Sequence, residues 1–96
     1  MVRLALSERQ RRQLLDLASH HGMSNVRVFG SVSRGEARPD SDIDLLVDVE
    51  SGRSLLDLVG FAQDAEVLLN RKVDVVSSGG ISPWMRDTIL REALPL

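Results

Sequence analysis

At 96 residues the chain suffices for one small domain and not for two, so residues 1–96 read as a single unit. It carries no cysteine, which excludes disulfides and thiolate metal sites; a secreted domain this small usually needs such staples, so a cytoplasmic location is expected. A net charge of −2 argues against a nucleic-acid-binding module, and no apolar run approaches the ~20 residues of a membrane helix.

Taken in chain order, Ser7-Glu8-Arg9-Gln10 fits a capping box, with Ser7 as N-cap. The helix it opens carries Leu14, Leu15, Leu17 and Ala18, and Gly22 stops it. His20 and His21 at its end read as charges that complement the helix C-terminus. Asn25 to Phe29 reads as a short strand that Gly30-Ser31 ends. A short helical stretch follows and breaks at Arg38-Pro39, because a residue before proline avoids the helical region. Ile43 to Val49 is the best strand in the chain. Its alternation puts Asp42 and Asp44 on one face and Ile43 and Leu45 on the other. After the Ser51-Gly52 turn, a long helix runs from Ser54 to about Asn70, with Leu55, Leu58 or Val59, Ala62, Glu66 and Leu69 at helical spacing. Arg71 to Val76 is a third strand and Ser77 to Gly80 a loop. Ser82-Pro83 starts a last helix carrying Trp84, Met85, Ile89, Leu90 and Leu94, which Pro95 stops. In a domain this small, Trp84, Met85, Ile89 and Leu96 are expected in the core, although they would also suit an interface. Strands alternating with helices predict an α/β (α+β) fold: a small mixed sheet of at least three strands with helices packed on it.

The segment from Gly30 to Asp48 contains Asp40, Asp42, Asp44 and Asp48. Two carboxylates about 6 Å apart repel by roughly 3 kcal/mol at an effective dielectric of 20. A divalent cation relieves that repulsion. Mg²⁺ takes oxygen ligands and keeps positions open for water and substrate phosphates. Asp74 would complete a three-carboxylate site if its strand lies beside the second, and three carboxylates can hold two metals. Gly30 lets backbone approach a ligand, and a strand-to-helix turn there would aim N–H groups at a phosphate, with the Ser31 hydroxyl as a further donor. A phosphate binder and a metal site together describe a nucleoside triphosphate held through Mg²⁺. Either half alone is weak, since an Asp-x-Asp pair is often the wet face of a sheet and Gly-Ser is mostly a turn.

The run Gly30-Ser31-Val32-Ser33-Arg34-Gly35-Glu36-Ala37-Arg38-Pro39-Asp40-Ser41-Asp42-Ile43-Asp44-Leu45-Leu46-Val47 closely resembles the signature of the minimal nucleotidyltransferases, a group within the DNA polymerase beta-like nucleotidyltransferase superfamily. The resemblance implies the polymerase beta-like nucleotidyltransferase fold, and it implies roles. Asp42 and Asp44 would ligate the catalytic Mg²⁺ ions (two, with Mn²⁺ as a substitute). Asp74 would be the third carboxylate, on the metal of the attacking hydroxyl. Gly30 and Ser31 would hold the β- and γ-phosphates of ATP, with Arg34 and Lys72 as phosphate or sugar contacts, although Arg34 reads equally as a surface charge.

Family members resemble the antitoxin half of two-gene modules whose partner is an all-helical HEPN protein, itself resembling an RNase toxin. The resemblance therefore implies an antitoxin that moves AMP from ATP onto a tyrosine of the partner. The chain has no tyrosine, so a tyrosine acceptor must lie in another protein; both homo- and hetero-oligomers stay open. Two other readings stand beside it. One is an antitoxin that masks its partner by binding alone; the other is the catalytic subunit of a small-molecule nucleotidyltransferase. Three mutually repelling carboxylates favour the enzyme over the mask.

Overall fold

The computed structural model describes residues 6–30 and 42–96. The element order is α1 (Glu8–His20), β1 (Met23–Phe29), β2 (Ile43–Val49), α2 (Leu55–Leu69), β3 (Val73–Ser77), a single 3-10 turn (Ser78–Gly80), α3 (Pro83–Glu92) and β4 (Leu94–Pro95). The expected short helix after Gly30-Ser31 lies outside the described residues.

The caps explain the helix boundaries. At α1 the Ser7 hydroxyl accepts from the Gln10 backbone N–H at 3.1 Å, and the Gln10 side chain accepts in return from the Ser7 N–H at 3.1 Å, so two orphan donors are satisfied reciprocally. At α2 the Asp57 carboxylate accepts from the Ser54 backbone N–H at 2.8 Å, and Asn70 closes the helix in the left-handed conformation (φ +51°). His21 does more than complement the end of α1. Its Nε2 lies 2.8 Å from Asp64 Oδ2, tying α1 to α2.

The four strands form one sheet in the order β3-β2-β1-β4. β1 is antiparallel to β2 and to β4, whereas β2 and β3 are parallel. β4 adds a strand where the sequence predicts the tail of a helix. Proline is tolerated in it because β4 lies at the sheet edge. β1 starts at Met23, two residues before the predicted start, because it contains a bulge. Ser24 pairs with Asp48 and Arg27 with Leu46, so β1 has one residue more than β2 in this stretch. Asn25 absorbs the extra residue at φ +49°. The bulge resets the alternation, and Met23, Val26 and Val28 all reach the core.

The main core lies between one sheet face and the pair α1 and α2. Leu14 and Ala18 from α1, Ile43, Leu45 and Val47 from β2, and Phe61, Ala65 and Leu69 from α2 are buried together. The predicted stripe on α2 holds at Leu69, which is buried, and at Leu58, which packs against the core, and is corrected elsewhere. Leu55 is 74% exposed and Val59 42%, while the i, i+4, i+8 row through Phe61 is buried. α2 is apolar on most of its circumference, so periodicity alone does not select the buried row; the large Phe61 ring occupies the core instead.

The connections place α3. The β2-α2-β3 unit crosses the sheet one way, and β3-α3-β4 crosses back over β2 and β1. Right-handed crossovers in opposite directions put their helices on opposite faces. Burial agrees. Among the described residues, Leu46 and Ile89 are the two buried hydrophobics that do not belong to the α1–α2 core. Leu46 has the parity of Asp42 and Asp44, so it is buried on the face that bears the aspartates, the side to which the crossover assigns α3. Ile89 is the buried residue of α3. The expectation that Trp84 and Met85 are core is corrected: Trp84 is 82% exposed and Met85 41%. The main core is already filled by the residues of α1 and α2, and α3 contributes one side chain to the opposite face.

Candidate active site

β2 alternates as the sequence predicts. Ile43, Leu45 and Val47 are buried under the helices, so Asp42 and Asp44 project from the other face. Parallel pairing brings Asp44 level with Asp74. Adjacent strands lie about 4.8 Å apart, and residues paired in parallel register point to the same side. Asp74 is thus the neighbour of Asp44 across the ladder, and like charges in that relation destabilise a sheet. Asp74 and Asp42 are exposed and Asp44 is half-buried, so the charges meet at the open end of this face.

Gly30 follows β1 at the same end, since Phe29 pairs with Asp44. Its φ is +73°, a region L side chains rarely adopt. A Cβ built there would also collide with Asp44 Oδ2. Glycine at this position therefore meets two demands, the left-handed backbone and the close approach of a carboxylate. Lys72 borders the other side. Its carbonyl accepts from the Ile43 N–H at 3.0 Å, and its Nζ lies 4.0 Å from Asp42 Oδ2. Both side chains are largely exposed, so this is a loose surface pair of little energetic weight. Ser31 and Arg34, the other predicted nucleotide contacts, lie outside the described residues, as do Asp40 and Ser41.

Among the described residues, no group of three His, Cys, Asp or Glu side chains is arranged to hold a metal ion. The donor set nevertheless fits Mg²⁺, which is commonly held by one or two carboxylates plus substrate phosphates rather than by an all-protein cage. Asp44, Asp74 and Asp42 are hard oxygen donors at one exposed edge, and Gly30 leaves room for Asp44 beside backbone.

Asp48 does not belong to this group. It shares the face but sits four residues along β2, where it accepts from Ser78 Oγ at 2.7 Å, Arg27 Nη2 at 2.8 Å and Asn25 Nδ2 at 3.1 Å. The Ser78 hydroxyl first, then the Asn25 amide and the Arg27 guanidinium, hold its carboxyl below the usual carboxylate range. This cluster joins the β1 bulge, β2 and the 3-10 turn. The sequence holds no signal for it, because Arg27 and Asp48 meet only through the β1–β2 register.

Residues 8–96 match the family model for the nucleotidyltransferase domain. The chain belongs to this family and is an enzyme of the nucleotidyltransferase class. It is 39% identical to the protein adenylyltransferase MntA of Thermococcus cleftensis, over 82% of this chain and 80% of that protein. It is also 39% identical to a Methanocaldococcus jannaschii protein assigned as a protein adenylyltransferase, over 88% of this chain and 90% of the other. A solved structure assigned as a minimal nucleotidyltransferase superposes with TM-score 0.82 at 52% identity, covering 92% of this chain and 90% of that one. The same fold occurs in the crystal structure of a toxin-antitoxin with AMP-PNP, at TM-score 0.75 and 22% identity, over 94% of this chain and 72% of that chain.

Proposed function

We propose that this chain is a Mg²⁺-dependent antitoxin that transfers AMP from ATP to a tyrosine of a partner HEPN RNase toxin. The observation that carries the reading is the pairing of Asp44 with Asp74 across parallel strands, beside a glycine whose missing side chain admits the Asp44 carboxylate. A fold gains no stability by setting two carboxylates side by side at a solvent edge, so the pair is best accounted for by a cationic ligand. The names of the 39%-identical relatives support protein as the acceptor class.

In this reading Asp42 and Asp44 hold the metal and nucleotide, and Asp74 faces the incoming hydroxyl. When bound, Mg²⁺ would neutralise phosphate charge and acidify the acceptor hydroxyl. Gly30 backbone and Ser31 would cradle the terminal phosphates, with Arg34 and Lys72 adding positive charge at the rim. The acceptor hydroxyl gives up its proton beside Asp74 and on to solvent as its oxygen bonds to the α-phosphorus; the bond to the β-phosphate oxygen breaks, and pyrophosphate leaves. Catalysis of this kind rests on positioning and electrostatics rather than on a protein nucleophile. Lys72 stands within 4.0 Å of Asp42, where its charge can reach a bound phosphate.

The test is intact-mass spectrometry of the protein encoded beside this one, after incubation with this chain, Mg²⁺ and each nucleoside triphosphate in turn. The expected result is a gain of one or more adenosine monophosphates, lost with Asp42→Asn. A stable complex with no mass gain would instead support masking by binding.

A further inference from the structure

We propose that Glu66 is a positioning residue for Asp74: it holds the peptide bond just before Asp74 so that the third carboxylate stays level with Asp44. This inference rests on the metal-site reading above. α2 starts beyond the far end of β2 and connects to the parallel β3, so its last turn returns to the end where Asp42 and Asp44 stand. Glu66 lies in that last turn. A carboxylate there opposes the helix dipole, so helix stability alone does not favour glutamate at this position. Glu66 Oε2 instead accepts from the Val73 backbone N–H at 3.1 Å, in a partly buried bond.

The peptide between Lys72 and Val73 is bonded at both ends. Its carbonyl accepts from the N–H of Ile43, the residue between Asp42 and Asp44, at 3.0 Å. Its N–H donates to Glu66. Among the described residues β3 is an edge strand, and in a parallel ladder the Val73 N–H points away from β2. Val73 is 4% exposed, so without Glu66 this donor would be left unpaired where water reaches poorly, which is costly. A charged acceptor makes the bond stronger and polarises the peptide, which strengthens the bond from its carbonyl to Ile43. One peptide thus ties α2, β3 and β2 together, one residue before Asp74. The tie has work to do, because Asp74 is exposed at the strand edge and stands level with the like charge of Asp44. Repulsion favours the start of β3 moving away from β2, and the doubly bonded peptide opposes it.

The experiment measures amide hydrogen exchange at Val73 by NMR in the metal-free chain, and Mn²⁺ binding in the presence of ATP by electron paramagnetic resonance. Glu66→Ala should speed exchange at Val73 and weaken Mn²⁺ binding about tenfold, whereas Glu66→Gln, which keeps an acceptor oxygen, should stay within about threefold of wild type. Glu66→Asp, one methylene shorter, should show the same losses in smaller measure, and it carries the test if Glu66→Ala does not fold. Asp57→Ala removes the carboxylate that accepts from the Ser54 N–H at the other end of α2. It should lower the melting temperature and leave Mn²⁺ binding within about twofold, which separates positioning from general destabilisation. In an Asp74→Asn background Glu66→Ala should cost less than about twofold further, because it acts through Asp74. Positioning is overturned, and the metal site stands, if wild type binds Mn²⁺ and Glu66→Ala binds it equally well. The same holds if Glu66→Gln is as weak as Glu66→Ala, if Asp57→Ala loses as much, or if the full loss recurs in the Asp74→Asn background. If wild type itself binds no Mn²⁺ with ATP, the metal-site reading falls and this proposal with it.

Discussion

The two faces of β2 are made of the same seven residues and answer to different demands. One face, Ile43, Leu45 and Val47, is fully buried against two helices. The other carries Leu46 under a thinly attached α3 and exposes carboxylates at one end. The first face stabilises the fold. The second sets Asp44 level with Asp74 across the ladder, two like charges that repel. The comparison teaches that stability and chemistry are separated here by a single step along the strand.

The sharpest way to break the comparison is to damage one face and read the other. Phe61→Ala, on the packed side, should cost about 3–5 kcal/mol, a large share of the ~5–15 kcal/mol expected for any domain; urea denaturation measures it. Asp44→Asn, on the open side, should cost far less urea stability than Phe61→Ala, because it keeps the side chain's shape and removes the repulsion from Asp74. Transfer should fall by at least about 10²–10³-fold by the intact-mass assay. A loss of stability comparable to that of Phe61→Ala would show that Asp44 is structural.

Gly30→Ala sharpens the link between backbone and carboxylate. Left-handed backbone costs a side chain about 1–2 kcal/mol, and the new methyl group must displace the Asp44 carboxylate. Both the melting temperature and transfer should fall, whereas Gly52→Ala, equally left-handed but with nothing near its Cβ, should lower the melting temperature alone.

The smallest effect concerns pH. Asp48 has its folded pKa depressed from the ordinary 3.8 by Ser78, Asn25 and Arg27. A depressed carboxyl adds stability above its unfolded pKa and loses it as pH falls through the folded one. The chain should therefore lose this contribution below about pH 4. In Asp48→Asn the loss of stability between pH 4 and pH 2 should be shallower by less than about 1 kcal/mol, because the pair is partly solvated. A slope identical to wild type would mean that the network is not formed in solution.

Much of this was legible in the sequence, for physical reasons that can be named. The alternation across Asp42 to Val47 showed which residues face together, since strand periodicity is local. The capping patterns at Ser7 and Ser82-Pro83 placed two helix starts. The partnership of Asp44 with Asp74 needed topology, and the resemblance to a known family supplied it. The β1 bulge was hidden because Asn25 at positive φ carries no stronger mark than any other asparagine. β4 was hidden because Leu94-Pro95 is too short for a pattern and its proline reads as a helix stop. α2 misled because it is apolar on nearly every side, and Trp84 misled because burial is the ordinary fate of a tryptophan in so small a chain.

The most direct measurement is of Mn²⁺ and ATP binding to wild type, Asp44→Asn and Asp74→Asn, by electron paramagnetic resonance of the metal. The account predicts that wild type binds Mn²⁺ with ATP, and that each variant binds markedly less while still unfolding in one cooperative transition without ligand. Undiminished Mn²⁺ and ATP binding in both variants would contradict it.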